Sequence, residues 1–112
     1  MANYFEVTGP RDYPVFCDEE YWFGHILIEH PEMKGCEDLV MEAIGNPLFS
    51  MIFEERGNPE RNVYYTRHGS HGYFVRVVVE FSADHRGELI TALMADSLRP
   101  GDRLLWTPAL SD

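Results

Sequence analysis

Lysine is almost missing from this chain: Lys34 is the only one in 112 residues. Cysteine is scarce too, and the two present, Cys17 and Cys36, are too few for a disulfide framework, so both are expected as reduced thiols. No apolar run approaches the roughly 18 residues that a membrane-spanning helix needs. The opening residues MANYFEVTGPR carry neither the basic stretch nor the apolar core of an export signal. These absences argue against a stapled secreted domain and a membrane protein, and the expectation is a cytoplasmic chain. There is no P-loop, paired-glycine dinucleotide turn, G-x-S-x-G elbow or H-E-x-x-H, and nothing implies a cofactor.

What is present fits one domain spanning residues 1–112. The chain is 45% hydrophobic and holds seven Phe, six Tyr and two Trp, enough for one modest core. The net charge is -10, which argues against a broad basic surface for nucleic acid. The charge is uneven. Most of the excess acid lies in residues 1–45, whose only bases are Arg11 and Lys34, whereas every base after residue 45 is an arginine. Arginine forks match the geometry of phosphate or carboxylate.

Periodicity places helices early and strands late. YFEVT (4–8) reads as a short strand before the Gly9-Pro10 turn, and a second extended piece closes near Phe16. Asp18 suits an N-cap, with Glu19 and Glu20 at the positive end of a helix running to about Glu29. Trp22, Phe23, Ile26 and Leu27 form its apolar stripe, with His30 near the centre, while Tyr21, His25 and Glu29 lie round the other side. Pro31 ends it. Residues 36–44 predict a second helix, stopped by Gly45 and Pro47. From residue 48 the pattern turns to strands at 48–55, 62–68, 72–82, 87–95 and 103–108, joined by short turn-rich links. The expected architecture is α+β: two N-terminal helices packed on a four- or five-stranded antiparallel β-meander.

The chemistry-bearing residues follow from this frame. His25 and His30 stand on one helix and are suited to moving protons. Their five-residue separation turns them about 140° apart, so they do not form a self-contained pair. His25 has Glu29 four residues on, an ordinary helix pair; His30 suits a helix end beside the sheet. Arg76 is a charge inside a strand of Val, Phe and Tyr, costly there without water or a partner. Thr91 shares a strand face with Leu89 and Leu93. Tyr65 offers a stacking ring, Arg67 a cation, and His68 and His71 flank a glycine-rich hairpin; these four are the candidate substrate contacts. Cys17, His25, His30 and Cys36 are zinc-type ligands, but their spacing matches none of the tight pairs of structural zinc, and no metal site is expected.

The order of motifs GHILIEHPEM, NPLFSMIF, NVYYTR, YFVRVVVEF, GELITALM and LLW resembles the phage-associated nuclease-like domains grouped with barnase, EndoU, colicin E5 and D, and RelE. The resemblance runs from about residue 15 to 107, and its most specific part is His-Ile followed by His-Pro-Glu. It implies an endoribonuclease that needs no metal, of the toxin or mobile-element kind, in which the RNA's own 2′-hydroxyl attacks the adjacent phosphate. It further implies that His25 or His30 shuttles the proton, Arg76 stabilises charge on the transition state, and Thr91 donates a hydrogen bond. The alternative is a catalytically silent relative whose acidic helical half docks a protein partner. Convergence of His30, Arg76 and Thr91 would favour the enzyme.

Overall fold

The computed structural model describes residues 3–48, 51–68 and 72–108. Its first element is a hairpin of β1 (Asn3–Thr8) and β2 (Pro14–Asp18). Asp18 then caps a helical segment, α1, over residues 19–29: its carboxylate accepts a 2.7 Å hydrogen bond from the Tyr21 backbone amide. The middle of α1, Trp22–Ile26, is π-helical, with the Leu27 amide reaching back to the Trp22 carbonyl. Pro31–Met33 forms a single 3-10 turn, and α2 covers Glu37–Gly45. The strands β3 (Ile52–Glu55), β4 (Asn58–His68), β5 (Tyr73–Phe81), β6 (Gly87–Ala95) and β7 (Arg103–Trp106) follow.

The domain is α+β as expected, but its sheet is larger than a four- or five-stranded meander and is mixed. Seven strands lie in the order β1-β2-β6-β5-β4-β3-β7. Only β3 to β6 form the antiparallel meander. β2 pairs in parallel with the start of β6, through Val15 opposite Gly87 and Phe16 opposite Glu88, and β7 returns to pair with β3. Short links predict only neighbours in sequence; both added pairings join distant segments, which local patterning does not encode.

One face of the sheet carries the main core. Trp22, Ile26, Met33, Val40, Ala43 and Ile44 pack there on Val75, Val77, Ala92 and Leu89. The expected stripe of α1 is met by Trp22 and Ile26, both fully buried, but Phe23 is 47% exposed. His30 is only partly covered. The π turn inserts one residue per turn and so alters which side chains meet the sheet.

The opposite, helix-free face holds Val63, Tyr65 and Val78, with Phe53, Phe74, Ile90 and Leu98 partly buried around them. Leu98 belongs to the connection 96–102, which carries the chain from β6 back to β7 across this face. Beyond Glu88, the outer edge of β6 has no strand neighbour among the described residues, and α1 and the 3-10 turn cover it. The Tyr21 hydroxyl donates to the Ile90 carbonyl at 2.6 Å, and the Met94 amide donates to a Glu32 carboxylate oxygen at 3.4 Å.

Candidate functional site

The densest polar chemistry lies on the helix-free face. Arg76 is opposite Tyr65 and Leu93 in the sheet register, so these three side chains share that face, and Thr91, opposite Val78, lies beside them. The Arg76 side chain is 9% exposed, and its guanidinium lies 3.4 Å from Glu55 and 3.5 Å from Asp102. Two further arginines close on the same acids. Arg61 is 3.7 Å from Glu55 and 3.2 Å from Glu80, while Arg99 is 3.6 Å from Glu55 and 3.9 Å from Asp102.

Fixed dipoles complete the network. Asn58 donates to Glu55 at 3.0 Å, the Arg56 amide donates to Asp102 at 3.0 Å, and the Arg99 amide donates to the Tyr65 hydroxyl at 3.0 Å. A buried arginine thus has acids on two elements that its own strand does not contact directly. Arg76 Nε and Asp102 Oδ2 nevertheless make no hydrogen bond. An unpaired buried carboxylate would be costly, so the arginines hold the crossing segment 96–102 against the sheet. Arg61 and Arg99 are the more exposed members, at 34% and 46%, and they present the cluster's charge to the surface.

A second group borders this face at the β6 edge. His25 Nε2 lies 3.0 Å from Glu29 across one helical turn, and the imidazole stacks on Tyr21 with ring centroids 4.6 Å apart. Tyr21 is anchored to the Ile90 carbonyl, the residue before Thr91. Burial raises the Tyr21 hydroxyl's pKa above its ordinary value, the Glu29 charge adds to this, and the Arg61 charge opposes it. Tyr21 also lines a cavity of about 180 Å³ at the fork where β2 and β6 part, together with Phe16, Asp18, Arg86, Glu88 and Ile90. The Arg86 guanidinium sits 3.7 Å over the Phe16 ring.

The expected residues therefore separate. Arg76 and Thr91 share a face, and His25 is linked to the strand carrying Thr91 through Tyr21. His30 is not brought to them: its Nδ1 is 3.5 Å from Glu32, which reaches toward Met94 at the other end of β6. His68 lines a different cavity with Glu32, Tyr73 and Met94. Tyr65 is buried, its ring edge-on to Phe53 and Phe74, and offers no open stacking surface. Arg67 is exposed beside the Phe74 ring. His71 lies outside the described residues. Cys17 is buried in the core, whereas Cys36 points its thiol at the Glu32 and Lys34 carbonyls. Among the described residues, no three His, Cys, Asp or Glu side chains are grouped as a metal ion would require, and no helix is long and apolar enough to cross a membrane.

Glu55, Asp102, Arg99 and Tyr21 complete these two groups and carry no motif. The only sequence signal pointing to them is indirect: a strand arginine at position 76 must find a carboxylate somewhere. Comparison with known proteins found no matching family model, no matching curated protein and no matching solved structure.

Proposed function

We propose that this domain is an endoribonuclease that works without a metal ion, its substrate lying along the β6 edge and the adjoining helix-free face. The observation that carries the reading is the His25 arrangement: a half-exposed imidazole fixed by Glu29 on one side, stacked on Tyr21, and tied through Tyr21 to the residue before Thr91. A half-exposed base oriented by a carboxylate is an arrangement suited to proton transfer.

The convergence of His30 with Arg76 and Thr91 that would favour an enzyme is not met, because His30 stands with Glu32 away from both, and in this reading His25 takes the proton from the RNA 2′-hydroxyl. The freed oxygen attacks the adjacent phosphorus, the bond to the 5′ oxygen breaks, and the departing oxygen takes a proton from water, leaving a 2′,3′-cyclic phosphate. Thr91 donates a hydrogen bond to a phosphate oxygen. Arg61 and Arg99, the accessible forks of the cluster, bind the phosphodiester backbone. Arg76 is too enclosed by Glu55 and Asp102 to bind phosphate directly, and serves to position the other charges.

The test is cleavage of a mixed RNA in EDTA. The wild-type protein is expected to cut it to cyclic-phosphate ends. His25→Ala should lose about 10²-fold or more in rate, the ordinary share of a general base, while His30→Ala keeps most of it. No cleavage above background, or equal rates for wild type and His25→Ala, would overturn the reading.

A further inference from the structure

The sheet has two outer edges, and they differ. β7 is four residues long, and its Arg103 is paired with Glu54 at 2.9 Å. β1 is six residues long, contains neither proline nor lysine, and hydrogen-bonds only to β2 among the described residues. Natural edge strands are normally blunted by such residues or by a covering element. β1 carries a bulge between Asn3 and Phe5, and beyond it Glu6, Val7 and Thr8 pair only with β2 among the described residues, which leaves that stretch as a template.

Beside that edge stands an aromatic group. The Tyr4 and Phe23 rings meet edge-on with centroids 5.3 Å apart, and both side chains are substantially exposed, at 36% and 47%. Behind them Tyr4 leans on Phe5 and on the buried Trp22. The surroundings are acidic. Tyr4 donates to Glu37 at 2.5 Å, Glu6 is exposed on the same strand, and that hydrogen bond, with smaller contributions from the Glu37 and Glu19 charges, pushes the Tyr4 hydroxyl up to about 12. Arg86 lies over the ring of Phe16, the residue opposite Glu6, so a base stands beside Glu6, whereas Arg11 is occupied by Asn62 and Tyr64 at the far end of the hairpin.

We infer that the outer edge of β1 is a docking surface for a basic, extended segment of a partner protein, which adds to the sheet as an eighth strand. Main-chain pairing supplies the register, Tyr4 and Phe23 supply apolar contact, and Glu19 and Glu37 select cationic side chains. The charge also chooses among occupants. A second copy of this chain pairing edge to edge would bring the same acids against one another, whereas a lysine- or arginine-bearing strand would neutralise them. The inference does not depend on RNA cleavage.

The experiment uses the whole chain and three synthetic ten-residue probes: alternating Lys-Val, alternating Glu-Val and alternating Lys-Pro. Lys-Val is expected to bind, to slow hydrogen exchange at the β1 amides that face away from β2, and to weaken as salt is raised. Phe23→Ala, at a half-exposed position, should lower that affinity about fivefold with an unchanged circular dichroism spectrum. Equal binding of Lys-Pro, which carries the charge but cannot pair as a strand, would overturn strand addition. Equal binding of Glu-Val would overturn charge selection. Self-association of the protein that protects the same amides without peptide would assign the edge to a second copy and sink the proposal, as would an absence of any protection.

Discussion

Arg76 shows how far a single residue can be read from sequence. Its placement among Val, Phe and Tyr demanded a partner, and the structure supplies two, Glu55 and Asp102. Which acids would serve was not legible, because they arrive from the end of β3 and from the connection 96–102 after β6, and no local pattern marks either. The same holds for His25, whose pairing with Glu29 follows from helical spacing, while its stacking on Tyr21 and the link to β6 do not. Two other residues make a pH-dependent prediction. Burial pushes the Cys17 thiol from 9.0 up to about 12, and the hydrogen bond to Glu37 lifts Tyr4 from 10.0 to about 12. In each case the neutral form is favoured by folding, so the stabilisation is complete below the unfolded-state pKa and disappears as pH rises through the folded one. Unfolding free energy should therefore fall between about pH 9 and 12. Cys17→Ala should flatten the early part of that slope, whatever it does to stability at neutral pH. Urea titrations across the range check this; parallel slopes for variant and wild type would refute the assignment to Cys17.

At the scale of elements, the helices and the meander were legible because each rests on short-range chemistry: the Asp18 cap, the Pro31 stop, and the alternation in β5. The β1–β2 hairpin was legible as two extended pieces but not as neighbours of β6. That pairing depends on Gly87, which stands opposite Val15 at the first rung between β2 and β6. A Cβ at Gly87 would lie 2.7 Å from Val79 Cγ1 and 2.8 Å from the Phe81 ring, closer than real side-chain contacts allow. The absence of a side chain lets Phe81 fold over the start of β6, against Tyr13. Gly87→Ala must displace that ring or the rung itself, and overpacking of this kind costs about 1–3 kcal/mol. A chemical denaturation midpoint shifted by less than about 0.5 kcal/mol equivalent would mean that the fork relaxes freely. Because Tyr21 lines the cavity at the same fork, the variant should also slow the RNA cleavage proposed above more than an exposed control such as Ala83→Ser.

Across the whole molecule, the uneven charge becomes a statement about stability in salt. The Cα radius of gyration is 13.2 Å and the longest extent 38 Å. At about 0.01 M ionic strength the screening length is roughly 30 Å, so nearly every carboxylate feels the others; at about 0.15 M it is roughly 8 Å and only neighbours interact. A net charge of -10 concentrated in the helical half therefore opposes the compact state chiefly at low salt. The attractive pairs respond differently. Those of Arg76 with Glu55 and Asp102 join side chains largely shielded from water, where dissolved ions screen weakly. The exposed pairs, such as Arg103 with Glu54, contribute little at any salt. Raising sodium chloride from about 0.01 to 0.15 M should thus relieve repulsion more than it weakens attraction, and the thermal midpoint should rise. Glu42→Gln, which removes one exposed acid from the last turn of α2, should raise the low-salt midpoint and shrink the salt response together. A midpoint that falls as salt is added would show that exposed ion pairs, not the acidic excess, dominate the fold's electrostatics.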